Sequence, residues 1–600
     1  MEYVVGVGRR SSPMFLTASS DWGAGATFSR LSASRGALGP LAAFAGGALP
    51  TTILSTCAGA LLPLLSTAAA LPLRATCREA AAAVAQHPWE DSDTAIKGSV
   101  GAWRACFPRA RAANVSAEDC SGNTTRTAPI GDADFVHLAG LRVLHMRACT
   151  GVTDAALVHL RGVHTLDMRH CFGLTDAAFA HLRGIHVLNM HRCCQAGITD
   201  AAFAHLRGIH TLDMSNCNQE GITDAAFAHL RGIHTLSMAY CRQAGITDAA
   251  FAHLHGIHTL DMRSCSQEGV TDAAFAHLRG IHTLNIDDCC QEGITDAAFA
   301  HLAGIHTLVM SYCLQEGITD AAFAHLRGIH TLNMGGCSQG GITGAAFAHL
   351  RGIHALNMSH CSQESITDAA FAHLRGIHSL NMSGCTQSSI TDAAFEHLRG
   401  VCKLDMCGCN QASITDAAFA HLRGIHTLRF AGCDQEGITD AAFAHLCGVH
   451  TLDMSFCRQG SITDAAFAHL RGIHTLHMDG CSQAGITDAA FANLHGINTL
   501  HMGFCDQAGI TDVAFAHLRG VHTLRMIGCT QEGITDAAFA HLAGIDSLHM
   551  SGCSQAGITV AAFSHLRGIR ELHVGSGGRL GTRAEILALC GAAVFDDELD

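Results

Sequence analysis

The sequence predicts an α/β solenoid, and three observations predict it. A 24-residue motif recurs: residues 197–220 read GITDAAFAHLRGIHTLDMSNCNQE, and the next unit opens at Gly221 with nearly the same letters. Each copy carries a helix signal followed by a strand signal, one supersecondary unit per period. All eight prolines and all three tryptophans lie within the first 129 residues. The repeated body is thus free of the residue that removes a backbone donor from helix or sheet.

Within the unit, Thr199 and Asp200 supply a helix N-cap and a first-turn carboxylate. Residues 201–206 read as a short helix of good formers with Phe203 and Leu206 on one face, and Gly208 as its stop. The strand follows, with Leu212 and Met214 pointing inward and Thr211, Asp213 and Ser215 outward. One unit buries too little to fold alone, so stability belongs to the stack. Two 22-residue units precede position 173, giving nineteen units between 129 and 580.

Ile209, Leu212, Met214 and Cys217 follow the spacing L-x-x-L-x-L-x-x-C. This spacing resembles the leucine-rich-repeat family, and the cysteine with the preceding I-T-D segment resembles its cysteine-containing subclass. The resemblance implies a parallel-stranded horseshoe with helices outside and a concave sheet that binds a protein partner.

Composition limits the chemistry. The chain is 48% hydrophobic, 15% charged, and carries a net charge of −14 without a long basic run. Disorder is excluded for the body, and nucleic acid is not an expected partner. Eighteen of the 28 cysteines recur at one point of the unit and read as a buried thiol ladder in a reducing compartment, cytoplasmic or nuclear. The sequons at Asn114 and Asn123 are read as chance matches. Most of the 43 histidines occupy two repeated positions. Neighbouring helices should hold them about 10 Å apart, too far to share a metal ion. The cluster Cys402, Cys407 and Cys409 lacks the partners of a zinc site. No phosphate-loop, nucleophile-elbow or zinc-protease motif occurs, so neither an enzyme nor a cofactor nor a metal is expected.

Differences between units fall mainly on outward strand positions and beside the ladder cysteine. The candidate partner-binding residues are Asp213, Tyr240, Asp261, Tyr312, Arg429, Phe456, His477, Phe504 and Arg525. They form a mixed surface, acidic toward the start and basic or histidine-bearing toward the end, with aromatic anchors.

Five segments are expected: a disordered leader over 1–47, a helical module over 48–86, a linker and N-terminal cap over 87–128, the repeats over 129–580, and a C-terminal cap and acidic tail over 581–600. The uncharged run 36–73 contains four prolines and is not read as a membrane span. In the module, Leu65, Leu71, Cys77 and Arg78 satisfy L-x(5)-L-x(5)-C-R, which resembles the end of an F-box. Ala80 stands where that family usually has tryptophan. An F-box ahead of such repeats implies a substrate-receptor subunit of a cullin-based (SCF-type) ubiquitin ligase, docking its linker protein through these four residues, with a cullin as a further partner. The alternatives are a leucine-rich-repeat binding protein outside the ligase system and a membrane-anchored or surface adhesion protein.

Overall fold

The computed structural model describes residues 62–75, 78–118, 124, 129–575, 580–591 and 593–595. The expected leader, most of the acidic tail, Cys77 and Asn123 lie outside them. The chain forms two compact units, Met1–Met214 with Ile233–Leu236 and Ser215–Gly232 with Ser237–Asp600.

The first unit opens with helix Thr67–Arg74, capped by Ser66 Oγ, which accepts from the Ala69 N–H. Helix Arg78–Gln86 packs against it. Thr67 donates from N and Oγ1 to Asp91 Oδ2 at 2.6 and 2.9 Å, which fixes the first helix to the following loop. Trp89 is buried, donates from Nε1 to Val84 O at 2.8 Å, and meets Phe107 edge to face at 5.4 Å. Strand Ala112–Asn114 then pairs in parallel with Val143–His145, so the sheet starts ahead of the first repeat. Asn114 belongs to this strand; its Nδ2 donates to Asp93 O at 3.3 Å and its Oδ1 accepts from Ser116 N, a structural use of the sequon residue. Parallel pairing continues through 165–167 and 187–189 to 211–213.

In the second unit, three-residue strands pair in parallel and in register from Thr259–Asp261 to Glu571–His573, with Leu332 beside Leu308 and Leu356. Leu332, Met334, Cys337, Phe323 and Leu326 are all buried, so the expected inward residues of this repeat lie in the core. Gly328 takes φ +83°, the left-handed conformation that ends the helical turn. The helix itself is shorter than the sequence suggests: Asp200–Phe203 replaces the expected 201–206. Beyond Phe203 the bonds tighten to three-residue spacing, His205 N to Ala202 O and Leu206 N to Phe203 O, because the chain must turn back within a few residues. Helix Arg583–Cys590 follows the repeats, with a capping box between Thr582 and Glu585.

Three ladders join neighbouring repeats. Ladder cysteine thiols donate to a carbonyl of the preceding repeat, as from Cys337 to Met310 O at 3.0 Å and from Cys361 to Met334 O at 3.3 Å. Burial pushes the Cys337 thiol up to about 12, which keeps it a protonated donor. A buried glutamine row lies alongside, with Gln315 Nε2 donating to Cys289 O at 2.7 Å and Gln387 Nε2 to Cys361 O at 2.7 Å. The aspartate of I-T-D forms the third. Asp296 accepts from Thr319 N (2.7 Å), Thr319 Oγ1 (2.6 Å) and Ala322 N (3.1 Å) of the following repeat. It is therefore a clamp between repeats as well as a first-turn carboxylate.

The clamp is missing where Gly344 replaces the aspartate. The helix there becomes a 3-10 turn, Ala346–His349, and the Thr367 side chain makes no cap bond. Gly344→Asp should restore two charge-assisted bonds and raise stability by about 1–2 kcal/mol, read as a higher urea midpoint. Its Cβ would sit 3.2 Å from Ser365 O, so the gain requires that carbonyl to give by a few tenths of an ångström, and an unchanged or lower midpoint would show that it does not.

Candidate functional site

The exposed sheet face and the turn after each strand hold the candidate residues. That turn has one fixed backbone feature: the residue before the ladder cysteine is left-handed in nearly every repeat. Its N–H donates to a carbonyl of the next repeat, as from Tyr312 to Gly335 O (2.8 Å) and from Phe504 to Ile527 O (2.6 Å). The conformation is set by this ladder whatever the side chain. It costs an L residue about 1–2 kcal/mol, which is why seven repeats use glycine there.

Tyr240, Tyr312, Phe456 and Phe504 occupy this position at φ 53–59° and are 42–61% exposed. The backbone there is common to every side chain, so what sets these four apart is large rings left half in water, a marker of function rather than of stability. Three of them share a device that the sequence reading missed. The Tyr312, Phe456 and Phe504 rings lie across Gly336, Gly480 and Gly528 of the following repeat, and a Cβ at Gly528 would approach the Phe504 ring to 2.7 Å. His360 lies on Gly384 in the same way. The signal was present, since each of these rings is followed 24 residues later by glycine, whereas Tyr240 is followed by Ser264. Gly528→Ala should lift the Phe504 ring into solvent. With Phe504→Trp as reporter, the emission should shift to longer wavelength when alanine replaces Gly528.

The polar candidates differ in what they offer. Asp213 is half-buried and accepts from Asn189 Nδ2 at 2.9 Å. Asp261 is buried at 3% exposure, with Arg263 N and its guanidinium on the carboxylate, so its charge is neutralised inside the face rather than presented to a partner. Arg429 is held between Asp405 (3.1 Å) and Asp453 (3.3 Å) of its two neighbours. Arg525 is exposed. His477 stacks on His501 at 4.1 Å, and burial, with His477 and Arg525 nearby, drives His501 down to about 4. His501 is thus neutral at pH 7. Phe456, His477, Phe504 and Arg525 fall within four successive repeats. The acidic-to-basic trend is softened because Asp405 and Asp453 offset Arg429.

In the helical module, Leu65 is half-buried, and Leu71 and Arg78 are exposed on successive helices. The first helix contains Pro72. The expected fourth member, Cys77, lies outside the described residues.

The histidine expectation needs correction. His210 and its equivalents precede the strands rather than riding on helices, so they follow strand spacing. His282, His306 and His330 stack face to face with centroids 4.5 Å apart. Parallel rings aim their nitrogens alongside rather than toward one another. Among the described residues, no group of three or more histidine, cysteine, aspartate or glutamate side chains could hold a metal ion. Among the same residues, no helix is long and apolar enough to cross a membrane.

No family model and no curated protein matches the chain. Solved structures do. The crystal structure of a TLR13–ssRNA13 complex is similar at 15% identity and TM-score 0.53, covering 78% of this chain and 74% of that one. The mouse RP105/MD-1 complex is similar at 14% identity and TM-score 0.50, covering 80% and 90%. At such identities the likeness is one of fold, and the fold of this chain is the leucine-rich-repeat solenoid.

Proposed function

We propose that the chain is a non-enzymatic protein-interaction scaffold whose partner lies on the exposed sheet face, centred on Phe456, His477, Phe504 and Arg525. One observation carries this reading: large aromatic side chains are left half-exposed here, beside charged and imidazole groups. Rings of this kind are typical interface anchors, because they bury much area at little entropic cost. The finer reading is a substrate receptor of an SCF-type ubiquitin ligase, with the module around Leu65, Leu71, Cys77 and Arg78 docking the linker protein. The spacing of these residues and the exposure of Leu71 support it.

Affinity purification of the full chain tests both levels. Recovery of a cullin and its linker, lost on deleting 48–86, is expected for the ligase reading; a folded chain that recovers neither overturns it. A partner retained by the deletion but lost from the Phe456→Ala, Phe504→Ala double variant is expected for the scaffold reading. Retention by that double variant overturns the proposed face.

A further inference from the structure

Because the strands are parallel, the segments before and after them are segregated to opposite edges of the sheet. The edge preceding the strands carries Arg327, Arg351, Arg375, Arg399 and Arg423 in five successive repeats, all exposed. One guanidinium per repeat gives the row the period of the array. None of the five is in an ion pair found among the described residues. Each donates instead to an imidazole of the next repeat, as from Arg351 Nε to His373 Nδ1 (3.3 Å) and Arg399 Nε to His421 Nδ1 (3.1 Å).

The opposite edge carries Glu268, Glu292 and Glu316 in three successive repeats, then Glu364 and Glu436, all exposed and none in an ion pair found among the described residues. The clamp aspartates beside them are already satisfied by threonines.

A row of like charges at this spacing is relieved by an opposite row, and many contacts form at once only when the two periods agree. The protein's own acidic edge has that period, being generated by the same repeat. The arginine edge bears no exposed phenylalanine, tyrosine or tryptophan among the described residues, so it lacks the stacking platforms of a single-stranded nucleic-acid site. We propose that the arginine edge docks the glutamate edge of a second copy of this chain, side by side. Such a contact joins two different surfaces, so it does not close and can extend to a third copy.

Sedimentation velocity of the full chain tests this in about 20 mM and about 500 mM salt, on either side of the screening regime. Faster-sedimenting species at low salt that vanish at high salt are expected. Two triple variants complete the test: Arg327→Glu, Arg351→Glu, Arg375→Glu, and Glu268→Lys, Glu292→Lys, Glu316→Lys. Each alone should sediment as a monomer at low salt, and an equimolar mixture should associate again, since one brings two acidic edges and the other two basic edges. Arg→Gln at the same three arginines is the gentler substitution and should weaken association at least tenfold. A wild-type monomer at low salt overturns the proposal, as does association that survives either triple variant. A monomer that binds heparin-agarose without self-associating would assign the edge to a polyanion instead.

Discussion

Asp296→Ala is expected to cost the array about 2–4 kcal/mol, among the largest effects of any single polar substitution. The carboxylate accepts three hydrogen bonds from the following repeat, two of them at 2.6–2.7 Å; the variant leaves Thr319 N without its acceptor, while Ala322 N keeps its second one, Thr319 O at 3.1 Å. A hydrogen bond to a charged group contributes about 1.5–3 kcal/mol, and the three are not additive. Because repeats are coupled chiefly to their neighbours, the loss is expected to show as broken cooperativity as well as a lower midpoint. A urea titration followed by circular dichroism would then show two transitions in place of one. An unchanged single transition would remove the aspartate from any role in joining repeats.

Acidification is the second large effect. Burial and the neighbouring His282 hold His306 below its ordinary range, and burial, Arg351 and His349 do the same for His373. His501 is held lower still, at about 4. The direction follows from linkage. The unfolded chain takes up these protons near pH 6.5, before the folded one does, so stability present above pH 6.5 is lost as the pH falls toward the folded values. Melting temperatures should therefore drop steadily between pH 7 and 4.5. The edge supplies its own control, since Asn493 already accepts from Arg471 Nε at 3.1 Å where other repeats use histidine. His373→Asn should keep the bond from Arg351 Nε and make the pH slope shallower. A slope as steep as that of the wild type would place the titration elsewhere.

What the sequence makes legible is what one repeat contains. Thr199 as N-cap, Gly208 as the left-handed stop, and Leu212, Met214 and Cys217 as core follow from propensity and alternation inside 24 residues. What it leaves hidden lies between repeats. The Asp296–Thr319 clamp, the Gln315–Cys289 bond, the His282–His306 stack and the Phe504 ring on Gly528 all join residues 23–26 positions apart. Their pairing depends on how far one coil is shifted against the next, which no single-repeat pattern contains. The histidine row differs from its sequence expectation for that reason: His282, His306 and His330 take the spacing of the strands they precede, 4.5 Å, rather than that of the helices. Asp261 shows the same limit within the site. An outward strand position reads as exposed, yet Arg263, two residues on, folds over it.

Hydrogen exchange on the full chain with and without its captured partner tests the proposed face most directly. Protection is predicted in residues 453–457, 477–481 and 501–505, which hold Phe456, His477 and Phe504, with the helical segments 464–470 and 488–494 unchanged. Protection confined to those helical segments would contradict the sheet face as the binding surface.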